Sequence, residues 1–209
     1  MFGEVVSHLP RHYKNIGDTM DTLKFFQRVL PTKGNYCVTV INDGAAPQQA
    51  FVASVGELAT KCQQIDAGGN NTYYALSTFN SKASRKQENV ALTKSLFLDI
   101  DCGPEKVDQV DRDGTPVPDK GYATQKDGLA ALLAFLDITG MPRPLIVSSG
   151  RGLHVYWTLD EAVPPAQWQP LADALKDTFQ KNNFAFDPAV TADSARVLRP
   201  VGTHNPKNG

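Results

Sequence analysis

The chain has 209 residues, of which 41% are hydrophobic and 21% charged, and its formal net charge is −1 at pH 7. This length can bury a substantial core, in one large domain or in two small interlocked modules. No stretch approaches the roughly 18 apolar residues of a membrane span, and the N-terminus lacks the basic and then apolar pattern of a secretory signal. Cys37, Cys62 and Cys102 form no CxxC pair, which argues against a disulfide framework or a zinc site. We therefore expect a cytoplasmic protein without membrane contact.

The charges are distributed unevenly along the chain. Residues 1–94 carry ten basic and seven acidic side chains, residues 95–195 carry eight and fifteen, and residues 196–209 carry three and none. An acidic centre followed by a basic tail is what a cation site beside an anion site would produce. Solvated loops and helix faces explain many of the acids equally well.

The first third of the chain predicts helices alternating with strands. A first helix is expected at 20–30, with Asp18 or Asp21 as its N-cap. Its apolar face consists of Leu23, Phe26 and Leu30. Strands 36–43 and 49–55 flank the turn-type run GAAPQ. The elements that follow are a helix at 56–64, a strand at 72–79 and the polar loop NSKASRKQENVALTK.

The next strand, SLFLDIDCG, carries two carboxylates on one face. Side chains alternate along a strand with period two. Leu96, Leu98 and Ile100 therefore share one face, and Phe97, Asp99 and Asp101 share the other. A Gly-, Pro- and Asp-rich excursion follows at 103–122.

The last third predicts two helices around a hairpin. Helix 124–139 has a core stripe of Leu129, Leu132, Leu133 and Leu136. RPLIVSS and GLHVYWTL, joined by Gly-Arg-Gly, predict a hairpin with Leu153, Val155 and Trp157 on one face and His154 and Tyr156 on the other. Helix 165–181 is expected to bury Trp168, Leu171, Leu175 and Phe179. This mixed order favours an α+β fold over a doubly wound parallel sheet.

Two aspartates on one strand face repel each other unless a cation neutralises them. Hard divalent cations such as Mg²⁺ or Mn²⁺ take carboxylate oxygens and complete their shell with phosphates and water. Asp187 is the natural third ligand, because NFAFDPAV predicts a short strand that ends in this acid. The alternative is a solvent-facing strand end with two hydrated acids.

The SSGRG link and the basic tail supply groups that suit phosphate oxygens. The link offers the hydroxyl groups of Ser148 and Ser149 and the guanidinium of Arg151, with His154 on the strand that follows. The tail offers Arg196, Arg199, Thr203, His204, Asn205 and Lys207. If 193–198 forms a helical turn, Arg196 and Arg199 lie on one face. GRGLH lacks the third glycine of a dinucleotide fingerprint, and no GxxxxGK[ST] loop occurs.

Three of these stretches together resemble the motifs of the archaeo-eukaryotic primase superfamily. SLFLDIDCG resembles its hhhDhD motif, SSGRGLHVYW resembles its second motif, and FDPAVTADSARVLRPVGTHNPK resembles its third. The resemblance covers about 70–207, in the family's order, and is greatest to primase-polymerase domains of phages and plasmids. RPVGT departs from the common pattern, in which proline directly precedes glycine.

The resemblance implies a fold and a set of site residues. The fold is a single catalytic domain, 1–209, made of an N-terminal α/β unit at about 1–92 and an RRM-like antiparallel sheet with packed helices at about 93–209. The active site would lie in the cleft between these two modules. The implied catalytic and metal-binding residues, holding two Mg²⁺ or Mn²⁺ ions, are Asp99, Asp101 and Asp187. The implied nucleotide-binding residues are Ser149, Arg151, His154, Arg196, Arg199, Asn205 and Lys207.

The resemblance also implies a function and partners. The expected activity is a metal-dependent nucleotidyltransferase that makes primers and extends them on a single-stranded DNA template. Its partners would be the template, nucleoside triphosphates, a primer strand and a helicase module or protein, in a bacterial or archaeal host cell. Two alternatives remain open: a nucleotide-binding replication-initiator module without turnover, and a metal-dependent nuclease or relaxase.

Overall fold

The computed structural model describes residues 21–117 and 119–205. Within these ranges the helices are α1 Thr22–Val29, α2 Val55–Ala67, α3 Gln125–Thr139, α4 Pro165–Lys181 and α5 Pro188–Thr191. The strands are β1 Asn35–Val40, β2 Gln48–Val52, β3 Thr72–Phe79, β4 Val90–Cys102, β5 Gly121–Tyr122, β6 Leu145–Ser148, β7 Leu153–Val163 and β8 Val197–Leu198. None of the helices in this part of the chain is long and apolar enough to cross a membrane.

The strands form one sheet in the order β2-β1-β3-β4-β7-β6, and neighbours along this path are antiparallel. Short β5 pairs in parallel with β4, and short β8 pairs antiparallel with β3. The predicted α+β class with an antiparallel sheet is therefore confirmed. The predicted division into two modules is not confirmed, because strands from both halves of the chain join this sheet.

The sheet forks between β3 and β4. These strands pair only where Ser77–Phe79 lies beside Val90–Thr93. Farther along the same edge of β3, Tyr74 and Ala75 pair with β8 instead. The C-terminal half of β4, which carries the acidic pair, pairs with β7. The fork therefore opens a cleft between β8 and the acidic end of β4.

The two faces of the sheet bury separate cores, as the alternation on β4 predicts. Phe97 and Tyr156 belong to a core that includes residues of α1 and α2. Leu98 and Val155 belong to the other core, which packs against α3 and the C-terminal part of α4. The buried partners of the second core include Leu132, Phe135, Leu175 and Phe179. Asp99 and His154 follow the alternation onto the face of the first core, at its edge.

Several local predictions were wrong in detail. Asp21 is the N-cap of helix α1, as one of the two alternatives predicts, but Leu23 is 38% exposed while Phe25 is fully buried. Met20 and Asp18 lie outside the described residues. The supposed loop before the acidic strand ends at Asn89, because β4 already starts at Val90. On α4, Leu171 is 44% exposed and Ala172 is buried in its place.

Two predictions near the site also need correction. Residues 184–187 form no strand, and the segment is irregular up to the start of α5 at Pro188. Residues 193–198 do not form the predicted helical turn. A tight turn, in which the N–H group of Arg196 donates to the carbonyl oxygen of Asp193 (3.1 Å), leads directly into β8. The pairing of β8 with β3 overrides the helical spacing of the two arginines.

Candidate active site

A cavity of about 520 Å³ lies in the fork of the sheet. Eight of the ten predicted site residues line it: Asp99, Asp101, Ser149, Arg151, His154, Arg196, Arg199 and Asn205. The ninth, Asp187, is not among the lining residues, and the tenth, Lys207, lies outside the described residues. The fork thus brings together residues from three stretches of the sequence, of which Asp99 and Asn205 lie 106 positions apart.

The acidic pair lies at the end of β4. The side chain of Asp99 is 22% exposed and that of Asp101 is 48% exposed. Burial, and secondarily the charge of Asp101, raises the pKa of Asp99 to about 7, although the positive charges of Arg196 and Lys106 oppose this shift. Asp101 forms an ion pair with Lys106, whose Nζ lies 2.8 Å from Oδ2. The site therefore carries one carboxyl group that gives up its proton reluctantly.

Asp187 lies near the pair but does not join it at the cavity surface. Its negative charge makes a small contribution to the raised pKa of Asp99. Its Oδ2 atom lies 4.0 Å from Nζ of Lys120. In the described ranges, no three carboxylate, imidazole or thiol groups approach closely enough to form a ready-made metal site. The convergence of three acids therefore stays a prediction.

His154 sits beside Asp99 on the neighbouring strand β7. Its Nε2 atom lies 3.8 Å from Oδ1 of Asp99, which is too long for a hydrogen bond. Burial, together with the positive charges of Arg199 and Arg196, lowers the pKa of His154 to about 3. The imidazole is therefore neutral at pH 7. Its buried Nδ1 atom has no hydrogen-bond partner among the described residues, which is unusual for a buried polar atom.

The link between β6 and β7 is held tightly against β4. A side chain at Gly152 would collide with the backbone carbonyl of Ile100, so only glycine allows this close approach. The Nε2 atom of Gln125, at the start of α3, donates to the carbonyl oxygens of Gly150 and Gly152 (both 2.9 Å). Gln125 thus fixes the backbone that presents Ser149 and Arg151 to the cavity.

Arg199 is the most buried positive charge of the site, with 8% exposure. Its guanidinium donates to Oδ1 of Asn71 (3.1 Å) and to the hydroxyl oxygen of Tyr73 (3.0 Å). The group also lies 4.8 Å from the ring centroid of Tyr73. These contacts fix its plane at the cavity wall, where a planar guanidinium can bind phosphate or carboxylate oxygens.

Residues 199–205, here called the C-terminal strap, cross the cleft. Arg199 at one end donates to the carbonyl oxygen of His204 (2.8 Å), and Asn205 at the other end donates to the carbonyl oxygen of Ser149 (3.2 Å). Between them, Asp66 of α2 accepts from the backbone N–H group of His204 (2.7 Å) and contacts its ring nitrogen Nδ1 (2.8 Å). One carboxylate outside the cavity therefore anchors the strap.

The strap anchor leads to a prediction for Asp66→Ala. Losing both contacts of the anchor should loosen Asn205 and the backbone of His204, so we expect nucleotide affinity to fall about three- to tenfold, for about 1 kcal/mol of positioning. Asp66→Asn should recover part of this loss, because the amide oxygen still accepts from the N–H group of His204. Equilibrium binding of a fluorescent nucleotide measures the effect. Equal affinities of the alanine variant and the wild type would contradict this role of the strap.

Four residues of the site were not predicted. Lys106, Gln125 and Asp66 belong to none of the motifs, and their contacts depend on tertiary structure. Tyr73 belongs to none of the motifs either, and in the structure its hydroxyl oxygen accepts from Arg199 at the cavity wall. The need of a buried arginine for polar partners is the signal that could have pointed to Tyr73.

Comparison with solved structures identifies the fold. The primase-polymerase (PrimPol) AEP domain of cyanophage S-2L superposes with a TM-score of 0.54 at 16% identity, over 85% of this chain and 77% of that chain. The polymerase domain of Mycobacterium tuberculosis ligase D, in complex with DNA, gives a TM-score of 0.39 at 15% identity, over 86% and 69%. No protein-family model and no curated protein matches the sequence. The chain therefore shares the fold of the cyanophage AEP domain, in agreement with the motif resemblance.

Proposed function

We propose that the chain is a nucleotidyltransferase that synthesises primers, and extends them, along a single-stranded DNA template. The observation that carries this proposal is the cavity itself: two adjacent carboxylates on β4 face arginine, hydroxyl and amide groups across one cleft. This combination suits a nucleotide whose triphosphate is held on one side while its α-phosphate faces the acids. The primase-type fold and the order of the three motifs support the same reading.

The acidic pair fits divalent cations. Asp99 is largely buried beside a second carboxylate, and burial together with that second charge makes its ionised form costly without a neutralising cation. Oxygen donors of this kind suit Mg²⁺ or Mn²⁺. Asp99 and Asp101 would hold the ions, with Asp187 as the proposed third carboxylate. Two such ions supply charge neutralisation at the attacking and leaving oxygens of phosphoryl transfer.

The remaining residues of the cavity would bind and orient the nucleotide. Ser149, Arg151, Arg199 and Asn205 present donors suited to triphosphate oxygens, and Lys207 is the proposed further cation of the tail. Arg196 adds a positive charge on the side of Asp99. Neutral His154, which lines the cavity, would contact the substrate without adding charge. Rate enhancement then rests on positioning and on charge complementarity.

The proposed partners are single-stranded template, primer strand, nucleoside triphosphates and a helicase module or protein, in the cytoplasm of a bacterial or archaeal cell. A phage or plasmid origin fits the motif resemblance. A nucleotide-binding initiator module without turnover is the second candidate. The position of Asp187, outside the cavity lining and near Lys120, is the observation that favours it.

A primer-synthesis assay tests the proposal. The protein is incubated with random single-stranded DNA and Mn²⁺ or Mg²⁺, with ribonucleotides and deoxyribonucleotides supplied separately. Asp101→Ala should lower incorporation at least about a hundredfold, because a charged group at the reacting centre is lost. Asp137→Ala, which removes an exposed acid paired with Arg143, is the matched control. Nucleotide binding without incorporation by the wild type would favour the initiator module.

A further inference from the structure

Lys106 places an ammonium group directly on one of the two cavity carboxylates. Its Nζ atom lies 2.8 Å from Oδ2 of Asp101, and its side chain is 29% exposed. The residue ends the short 3₁₀ helix Pro104–Lys106, which follows β4 and is not part of any motif considered above. The acidic pair therefore carries a positive charge supplied by the chain itself.

This ammonium group contacts the carboxylate oxygen Oδ2 of Asp101, which a divalent ion would need as a ligand. A second cation within about 4 Å of Nζ would be repelled by it, most strongly in a partly buried site. Metal binding at Asp101 thus has to weaken or break the ion pair with Lys106. The same repulsion means that the ion pair raises the concentration of metal needed to fill the site.

The short 3₁₀ helix that carries Lys106 has open space beside it. Gly103, at the end of β4, has a φ angle of +156°, and a side chain there would collide with the carboxylate of Glu105. A second cavity of about 340 Å³ is lined by Gly103–Glu105 and by the start of α3 at Thr124 and Gln125. The 3₁₀ helix thus borders two cavities and is attached to β4 through a glycine.

We propose that Lys106 determines which cations the proposed metal site accepts. Its ammonium group neutralises Asp101 as an internal monovalent cation until a divalent ion displaces it. This inference rests on the function proposed above. Exchanging the ammonium group for Na⁺ replaces one unit charge by another and loses a charge-assisted hydrogen bond. Exchanging it for Mg²⁺ or Mn²⁺ adds a further positive charge beside Asp99 and Asp101. The ion pair therefore excludes monovalent ions and admits divalent ones.

Calorimetric titration of Mn²⁺ into the full chain without nucleotide tests this role, at low and at raised NaCl concentration. Lys106→Met should bind Mn²⁺ about three- to tenfold more tightly than the wild type at low salt, the range expected for removing a partly exposed charge pair. Its advantage should shrink as Na⁺ is added, because Na⁺ then competes for the vacated carboxylate. Lys106→Arg, which keeps the charge, should behave like the wild type.

Lys24→Met is the matched control, because Lys24 forms an exposed ion pair with Asp21 at the start of α1. Equal or weaker Mn²⁺ binding by Lys106→Met would overturn the inference. If the variant also binds nucleotide more weakly in a separate titration, Lys106 is a phosphate ligand instead. If the wild type binds Mn²⁺ and the variant gains nothing, only the role of Lys106 is rejected. If neither protein binds Mn²⁺, the proposed metal site is rejected together with it.

Discussion

Replacing Asp99 with asparagine is expected to make the protein more stable and, on the proposed function, inactive. The side chain is 22% exposed, and burial together with the charge of Asp101 raises its pKa from 3.8 to about 7. Above pH 7 the folded protein therefore holds an ionised carboxylate in a place that disfavours it. Asparagine keeps the shape of the side chain and removes this charge.

The pH dependence of the effect follows from proton linkage. Because the folded state binds the proton of Asp99 more tightly than the unfolded state does, wild-type stability falls as the pH rises from about 4 to about 7 and then levels off. The two pKa values differ by an amount equivalent to roughly 4 kcal/mol, which partial exposure and local relaxation reduce. We expect Asp99→Asn to be about 1–3 kcal/mol more stable than the wild type at pH 8 and nearly equal to it at pH 4.

Denaturant unfolding of both proteins at pH 4, 6 and 8, without divalent ions, measures this difference. The exposed Asp160 on β7 provides a control, because Asp160→Asn should leave stability unchanged at every pH. Mn²⁺ should raise the melting temperature of the wild type and have little effect on Asp99→Asn, since the metal needs the ionised carboxylate. A variant that is less stable than the wild type at pH 8 would mean that Asp99 is well compensated in the folded protein.

The parts of the structure that sequence predicts well are those set by local periodicity. Alternation along β4 places Phe97 in one core and Leu98 in the other, and the same rule separates His154 from Val155 on β7. Helix α4 occupies the predicted range, 165–181. In each case a repeat of 2 or 3.6 residues within one element is enough to assign its faces.

Helical periodicity does not predict which residue is buried when two neighbouring positions could both face the core. On α4, positions 171 and 172 both lie one turn after Trp168, and the larger Leu171 is the natural choice for the core. The structure buries Ala172 instead. The helix lies close to β4, with Nε1 of Trp168 donating to the carbonyl oxygen of Ser95 (3.0 Å). The closeness of that approach is a tertiary property, and no spacing in the sequence reports it.

The sequence motifs predict part of the cavity lining but not the contacts that hold it in place. Asp99, Ser149 and Arg199 each belong to a short motif, and the structure places all three at the cavity. The anchor between Asp66 and His204 joins residues 138 positions apart. The strap that carries His204 follows directly after β8, which pairs with β3. Such contacts depend on the fork of the sheet, whereas the sequence predicted two interlocked modules.

Replacing Arg199 with lysine is expected to weaken both the fold and nucleotide binding, although the charge is kept. The guanidinium makes hydrogen bonds to His204, Asn71 and Tyr73 at 2.8–3.1 Å, and it does so with 8% of the residue exposed. An ammonium group cannot reach three acceptors arranged around a planar fork. At least one buried acceptor therefore loses its partner, at a cost of about 1–3 kcal/mol in the free energy of unfolding.

Nucleotide binding should weaken in Arg199→Lys even though the positive charge is kept. Because Arg199 joins Tyr73 of β3 to the strap that carries Asn205, lysine should disturb two ligand-binding elements together, and we expect nucleotide affinity to fall at least about tenfold in Arg199→Lys. Arg143→Lys, at an exposed pair with Asp137, is the matched control and should change neither quantity. Equilibrium nucleotide binding in the presence of Mn²⁺, together with denaturant unfolding, separates the two effects. If Arg199→Lys binds like the wild type while Arg199→Met does not, Arg199 acts through its charge alone, and the strap can be positioned without the guanidinium fork.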